Sequence, residues 1–139
     1  VESSLEKDLG IWVDSALTFA HHTAKLVSRT NSLLAVLRRS FKFLDLDSFR
    51  TIYITMIRSL VEYGNPAWNP TTKRDARALE SIQRRATKLL PSLKAQPYSA
   101  RLQALNLPML AYRRLRGSMI QCYKFAIMWL KNWTELSEP

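Results

Sequence analysis

Apolar positions along this chain recur mainly at spacings of three and four, the period of helices that bury one face. The clearest run is Phe49, Ile52, Tyr53, Met56, Ile57 and Leu60. It predicts an amphipathic helix capped by Asp47 or Ser48 and stopped by Gly64 just past its end. Before it, Leu26, Leu33, Leu34 and Leu37 form the core stripe of a helix that Thr18 caps and that runs to about Arg39. After it, Thr72 and Asp75 make a variant capping box for a third helix ending at Pro91, with Leu79, Ile82, Ala86, Leu89 and Leu90 on its apolar side. Residues 92–97 read as a basic loop, and Tyr98–Leu105 as a short helix before Pro108.

The last helix, from Met109 to Lys131, is expected to bury Tyr112, Leu115, Met119, Tyr123, Ile127 and Leu130 on one side. Phe125, Met128 and Trp129 fall largely on the other. A helix apolar almost all round needs cover on several sides, and little of the chain is left to supply it. An absent domain or a protein partner is therefore expected on this helix.

Only the N-terminal region departs from the helical period. Leu9–Val13 reads as a short strand closed by a turn at Asp14-Ser15, with Gly10 marking a bulge or a close backbone approach. A lone strand is not stable, so a partner strand from outside this chain would leave it an orphaned edge here. The expected architecture is mainly α: a bundle of about four to five helices with a short N-terminal β-strand. Residues 1–17 form the strand segment and residues 18–139 the helical region. Between the second and third helices, Pro66 and Pro70 bracket Trp68 and push the residues before them toward extended backbone. Trp68 is expected as a wedge between helices rather than a platform for a nucleic-acid base.

Charge sharpens this picture. The chain of 139 residues carries a formal net charge of +10. Residues 1–20 hold Lys7 against Glu2, Glu6, Asp8 and Asp14, a net −3, whereas residues 71–116 hold 11 Lys and Arg against Asp75 and Glu80, a net +9. On a helical wheel at ~100° per residue, Lys73, Arg74, Arg77, Arg84, Arg85 and Lys88 share an arc of roughly 120°, opposite the apolar side. Such a face suits a polyanion or bulk water equally. Arg38 and Arg39 close the first helix, where cations stabilise the negative end of the dipole or meet phosphate.

Catalytic and metal chemistry find little support. Cys122 is the only cysteine, which excludes an internal disulfide, favours a reducing compartment, and in its apolar context suggests a packed thiol. His21 and His22 are adjacent and diverge on a helix, unlike zinc ligands at i, i+4. Gly10, Gly64 and Gly117 are isolated, so there is no glycine-rich phosphate loop. No metal site and no cofactor are expected. The run Phe125–Leu130 is too short to span a bilayer, and no leader opens the chain, so no membrane partner is expected. An intracellular location, cytoplasmic or nuclear, follows as an expectation, and Asn132-Trp133-Thr134 reads as a chance glycosylation pattern.

Three further stretches carry a family resemblance. Glu62-Tyr63-Gly64-Asn65-Pro66-Ala67-Trp68-Asn69-Pro70, the Gln83-Arg84-Arg85-Ala86-Thr87-Lys88 helix, and Leu107-Pro108 with Tyr112-Arg113-Arg114-Leu115-Arg116-Gly117 resemble the C-terminal part of non-LTR (LINE-type) retrotransposon reverse transcriptases. Lys7-Asp8-Leu9-Gly10-Ile11-Trp12-Val13-Asp14 is similar to the last strand of that family's palm, and Arg38-Arg39-Ser40-Phe41 to the end of its first thumb helix. The resemblance implies a palm-edge strand remnant at 1–17, then a thumb and post-thumb region that holds the primer-template duplex by its backbone. The family's polymerase activity needs two adjacent aspartates in an aromatic-Ala-Asp-Asp motif, and no Asp-Asp pair occurs in this chain. The chain is therefore expected to be non-catalytic, with fingers and most of the palm lying outside it.

The expectation is a binding surface for RNA or an RNA–DNA hybrid backbone. Arg74, Arg77, Arg84, Arg85 and Lys88 form its centre, and Arg38, Arg39, Lys42, Arg113, Arg114 and Arg116 are possible extensions. The competing expectation is a protein-interaction module from a degenerate or repurposed element. In that case the last helix is the working surface, and the basic face serves solubility.

Overall fold

The computed structural model describes residues 4–136, with side chains through Trp133. Glu2 and the side chain of Thr134 in the glycosylation pattern lie outside the described residues. The described residues form a small antiparallel hairpin, β1 (Leu5–Asp8) and β2 (Ile11–Asp14), followed by five helices. These are α1 (Ala20–Ser40), α2 from Leu46 to Glu62, α3 (Lys73–Ala86) with a 3-10 turn Thr87–Leu89, α4 (Tyr98–Ala104) and α5 (Leu110–Leu136). The mainly helical architecture expected from the periodicity is what the chain adopts.

The strand is not orphaned. Lys7 pairs with Trp12 and Asp8 with Ile11 across a two-residue turn, so the segment finds its partner in the four residues before Leu9. Leu9 and Gly10 take φ of 45° and 87°, the positive values whose twist matches flanking strands in a tight hairpin. The expected strand at Leu9–Val13 is thereby corrected. Leucine is an unfavoured residue for that left-handed position, which is why the turn did not announce itself. The Tyr63 hydroxyl donates to the Leu9 carbonyl at 3.1 Å and helps hold it.

Asp14, expected to end the strand in a simple turn, instead organises the passage into α1. Its carboxylate accepts from the backbone N–H groups of Ala16, Thr18 and Phe19 at 3.2, 3.0 and 2.8 Å, and from the Thr18 hydroxyl at 2.9 Å. These bonds, the Thr18 amide first, hold its pKa below the usual carboxylate value. Leu17 and Phe19 sit at positive φ of 53° and 55°, a strained backbone that the Asp14 bonds pin. Helix α1 begins at Ala20, and the Thr18 hydroxyl accepts only one weak bond from it, at 3.3 Å.

Helix α2 starts earlier than expected. Asp45, not Asp47 or Ser48, is the cap, and its carboxylate accepts from the Ser48 amide at 3.2 Å. The helix runs α-helical over Leu46–Ile52, π-helical over Tyr53–Arg58 and α-helical again over Ser59–Glu62. Its buried side chains are Phe49, Tyr53, Ile57 and Val61, all four residues apart. In an α-helix each such step overshoots one turn by ~40°, so a row of four would drift off the core face. The looser i→i+5 winding absorbs the drift. Met56, expected in the core, is consequently exposed, while Ile52 and Leu60 are half-buried against it.

Gly64 ends α2 at φ 65° as anticipated. Trp68 is 1 % exposed and acts as a wedge. Its Nε1–H donates to the Tyr63 carbonyl at 2.8 Å, and its ring and that of His22 pack in a T-shaped pair with centroids 4.5 Å apart. It belongs to one core cluster with buried side chains of α1, α2 and α3 and with Leu102, Leu105, Leu107 and Leu110.

The last helix departs most from its sequence pattern. Leu110 and Arg114 are buried, with Gly117, Ser118 and Gln121 half-buried, so α5 packs only by this short stripe. Tyr112, Leu115, Met119, Tyr123, Ile127 and Leu130, expected inside, are exposed, and Cys122 is an exposed free thiol rather than a packed one. Beyond Gln121 every described side chain of α5 is exposed. An apolar row shows what a helix can bury, while burial itself requires a surface to meet it. No helix among the described residues is long and apolar enough to cross a membrane.

Candidate nucleic-acid interface

Thr72 sets the direction of α3. Its hydroxyl accepts from the Asp75 amide at 3.1 Å and donates to the Asp75 carboxylate at 2.8 Å, the reciprocal cap that the sequence implied. With the start fixed, Leu79, Ile82 and Ala86 turn into the core and are fully buried. Gln83 is buried beside them, a position not anticipated as part of the core. Its Oε1 accepts from the Tyr53 hydroxyl and its Nε2 donates to the Pro108 carbonyl, both at 2.9 Å. One side chain therefore fixes α3 against α2 and against the entry to α5. Hydrophobic periodicity gives no signal for a polar residue in this role.

Rotation of α3 is thereby settled, and its other side faces solvent. Lys73, Arg74, Arg77, Arg84, Arg85 and Lys88 are all exposed. Among the described residues no carboxylate forms an ion pair with any of them. Arg84 is partly engaged, because its guanidinium stacks 4.2 Å above the Tyr98 ring. Tyr98 in turn donates its hydroxyl to Glu80, and burial together with that carboxylate pushes the phenol far above its usual range. The second Glu80 oxygen accepts from the Ala111 amide at 3.1 Å, in the first turn of α5. Glu80 is thus occupied with the fold and leaves the cationic face unopposed.

The remaining sequence-predicted residues divide into two groups. Arg38 and Arg39, in the last turn of α1, are exposed, as are Lys42 just beyond it and Arg116 on α5. The Arg39 Nε donates to the Ala35 carbonyl at 3.3 Å, a bond within its own helix. Arg113 and Arg114 offer no free cation. Arg113 grips the Glu62 carboxylate with two nitrogens, the Nη2 bond measuring 3.0 Å, and that carboxylate raises its pKa. Arg114 is 4 % exposed, and burial lowers its pKa. Both belong to the packed stripe of α5 rather than to its open side, a distinction set by which face of α5 meets the body.

Arg101, a residue not selected from sequence, is also buried, and its guanidinium lies 5.6 Å from the Tyr98 ring. Among the described residues no three His, Cys, Asp or Glu side chains converge as a metal-binding group would require. His22 accepts the Trp12 amide on Nδ1 at 3.3 Å, and His21 packs edge-on against the Trp12 ring at 5.3 Å. Comparison with protein-family models, curated proteins and solved structures finds no match for this chain.

Proposed function

We propose that this chain is a nucleic-acid-binding helical module that holds an RNA or RNA–DNA hybrid by its sugar-phosphate backbone. The observation that carries this reading is the row Arg74, Arg77, Arg84, Arg85 and Lys88, exposed along one helix without acidic partners among the described residues. Phosphates spaced along a duplex match a linear cationic face, and such contacts give affinity with little choice of sequence. Arg38, Arg39, Lys42 and Arg116 are the extensions open to solvent. In this reading the chain is the thumb and post-thumb region of a protein resembling non-LTR retrotransposon reverse transcriptases. It is non-catalytic by itself, works inside the cell in the cytoplasm or nucleus, and leaves the chemistry to a palm outside this chain.

The test is the salt dependence of binding to an RNA–DNA hybrid. Four phosphate contacts give a slope of log K against log salt near −3.6, taking ~0.9 per contact. Replacing Arg77, Arg85 and Lys88 by alanine should flatten it by roughly 2.7, while Arg84 stays in place because it supports Tyr98. An unchanged slope removes α3 from the interface.

A second reading has its own observation. Met119, Ile120, Tyr123, Phe125, Met128, Trp129 and Leu130 are exposed along α5, an apolar surface unusual for a protein without a partner. A protein-interaction module would oligomerise or dock through this helix and show no salt-sensitive nucleic-acid binding.

A further inference from the structure

The hairpin, α1 and the end of α2 line a solvent-open cavity of about 320 Å³ that shares no residue with the basic face of α3. Apolar Leu26 and Leu60 and the aromatic rings of Trp12 and Tyr63 line it, with Lys7 Nζ 5.6 Å from the Trp12 ring centroid. Lys7, Lys25 and Arg29 supply three cations, and none of the lining residues is an acid. The rings are held in place. Trp12 is braced by the His21 ring at 5.3 Å, and the Tyr63 hydroxyl is tied to the Leu9 carbonyl. His22, which also lines the cavity, adds little charge, because burial first and then the neighbouring His21 lower its pKa.

Flat apolar walls beside concentrated positive charge call for a ligand with an aromatic plane and more than one negative charge. A phosphate monoester carries about −1.5 to −2 near neutral pH, whereas a single carboxylate would leave two of the three cations unanswered. A bare phosphate would leave both rings unused. The volume lies at the small end of the ~300–1,000 Å³ range of ligand sites, which suits one nucleotide unit. We propose that this cavity binds a single nucleotide unit, with its base against Trp12 and Tyr63 and its phosphate among Lys7, Lys25 and Arg29. This goes beyond the backbone-binding reading of α3 and does not depend on it.

The experiment is calorimetric titration of the full chain with adenosine monophosphate, inorganic phosphate, and a tetranucleotide with and without a 5′-phosphate. Adenosine monophosphate should bind with Kd between about 10 µM and about 1 mM, as expected of a ligand this small. Replacing Lys25 and Arg29 together by alanine should weaken it by about tenfold or more. Both side chains are exposed on α1, so this variant keeps its fold, which its melting curve checks. Trp12→Leu should cost a similar factor through lost stacking. A 5′-phosphorylated tetranucleotide binding more tightly than the mononucleotide assigns the site to a strand end, and the reverse order assigns it to a free nucleotide. Absence of binding at millimolar mononucleotide overturns the proposal, as does affinity unaffected by the Lys25 and Arg29 pair, or phosphate binding as tightly as the nucleotide. The Arg77, Arg85 and Lys88 variant must bind the mononucleotide normally, which separates failure here from failure of the α3 interface.

Discussion

The Tyr53 hydroxyl donates to Gln83 Oε1 at 2.9 Å with both residues about 1 % exposed, joining α2 to α3 inside the core. Burial pushes the Tyr53 phenol well above its usual range, so the donor keeps its proton under any ordinary condition. The bond matters for function because the rotation of α3 decides which of its side chains reach solvent. A slip of one residue would turn its cations by ~100°.

Removing this contact therefore has a size that depends on what is left behind. Tyr53→Phe leaves one buried acceptor, Gln83 Oε1, without its donor and should cost about 1–2 kcal/mol. Gln83→Leu leaves the Tyr53 hydroxyl and the Pro108 carbonyl unpaired, so it should cost roughly 2–4 kcal/mol. Urea unfolding midpoints measure both. Equal losses would show that the Pro108 bond contributes nothing.

Gly64 is required twice over. Its φ of 65° disfavours any side chain, and a Cβ there would stand 2.7 Å from Ile11 Cδ1. Gly64→Ala should lose about 2–4 kcal/mol from the left-handed backbone and the overlap together. In an Ile11→Val background, which deletes the offending methyl, the same change should cost less. Thermal melts of the four proteins give the coupling, and strictly additive losses would rule out the Ile11 contact as the cause.

Asp14 should make the hairpin–α1 junction sensitive to acid. Its folded pKa lies below the unfolded value near ~3.9. Its contribution is therefore fully present above that value and fades as pH falls through the depressed folded pKa. Asp14→Ala should lower the unfolding midpoint by a constant amount from about pH 5 to 8, and the gap should close below about pH 4. A gap independent of pH down to pH 2 would assign the loss to packing rather than to the carboxylate.

How much was legible beforehand depended on distance along the chain. The Thr72–Asp75 cap, the Gly64 stop and the arc of cations on α3 are each set within a few residues, and local spacing reveals them. The wedge at Trp68 follows from the stiff prolines around it. Arg113 and Arg114 looked like extensions of the basic surface because charge composition does not tell a guanidinium facing Glu62 or the core from one facing water. The Leu9 turn was hidden by a residue unsuited to it, and the π-helical stretch by a spacing that mimics an ordinary amphipathic helix.

The sequence by itself determined the helical class, most helix ends and the one-sided charge of α3, since backbone hydrogen bonding, capping and side-chain periodicity act over at most two turns. The tertiary structure decided the hairpin partner, the π register of α2, the rotation of α3 through Gln83, and the exposure of most of α5. Each of these depends on which surface arrives from elsewhere in the chain, and burial is a property of that meeting rather than of either residue alone.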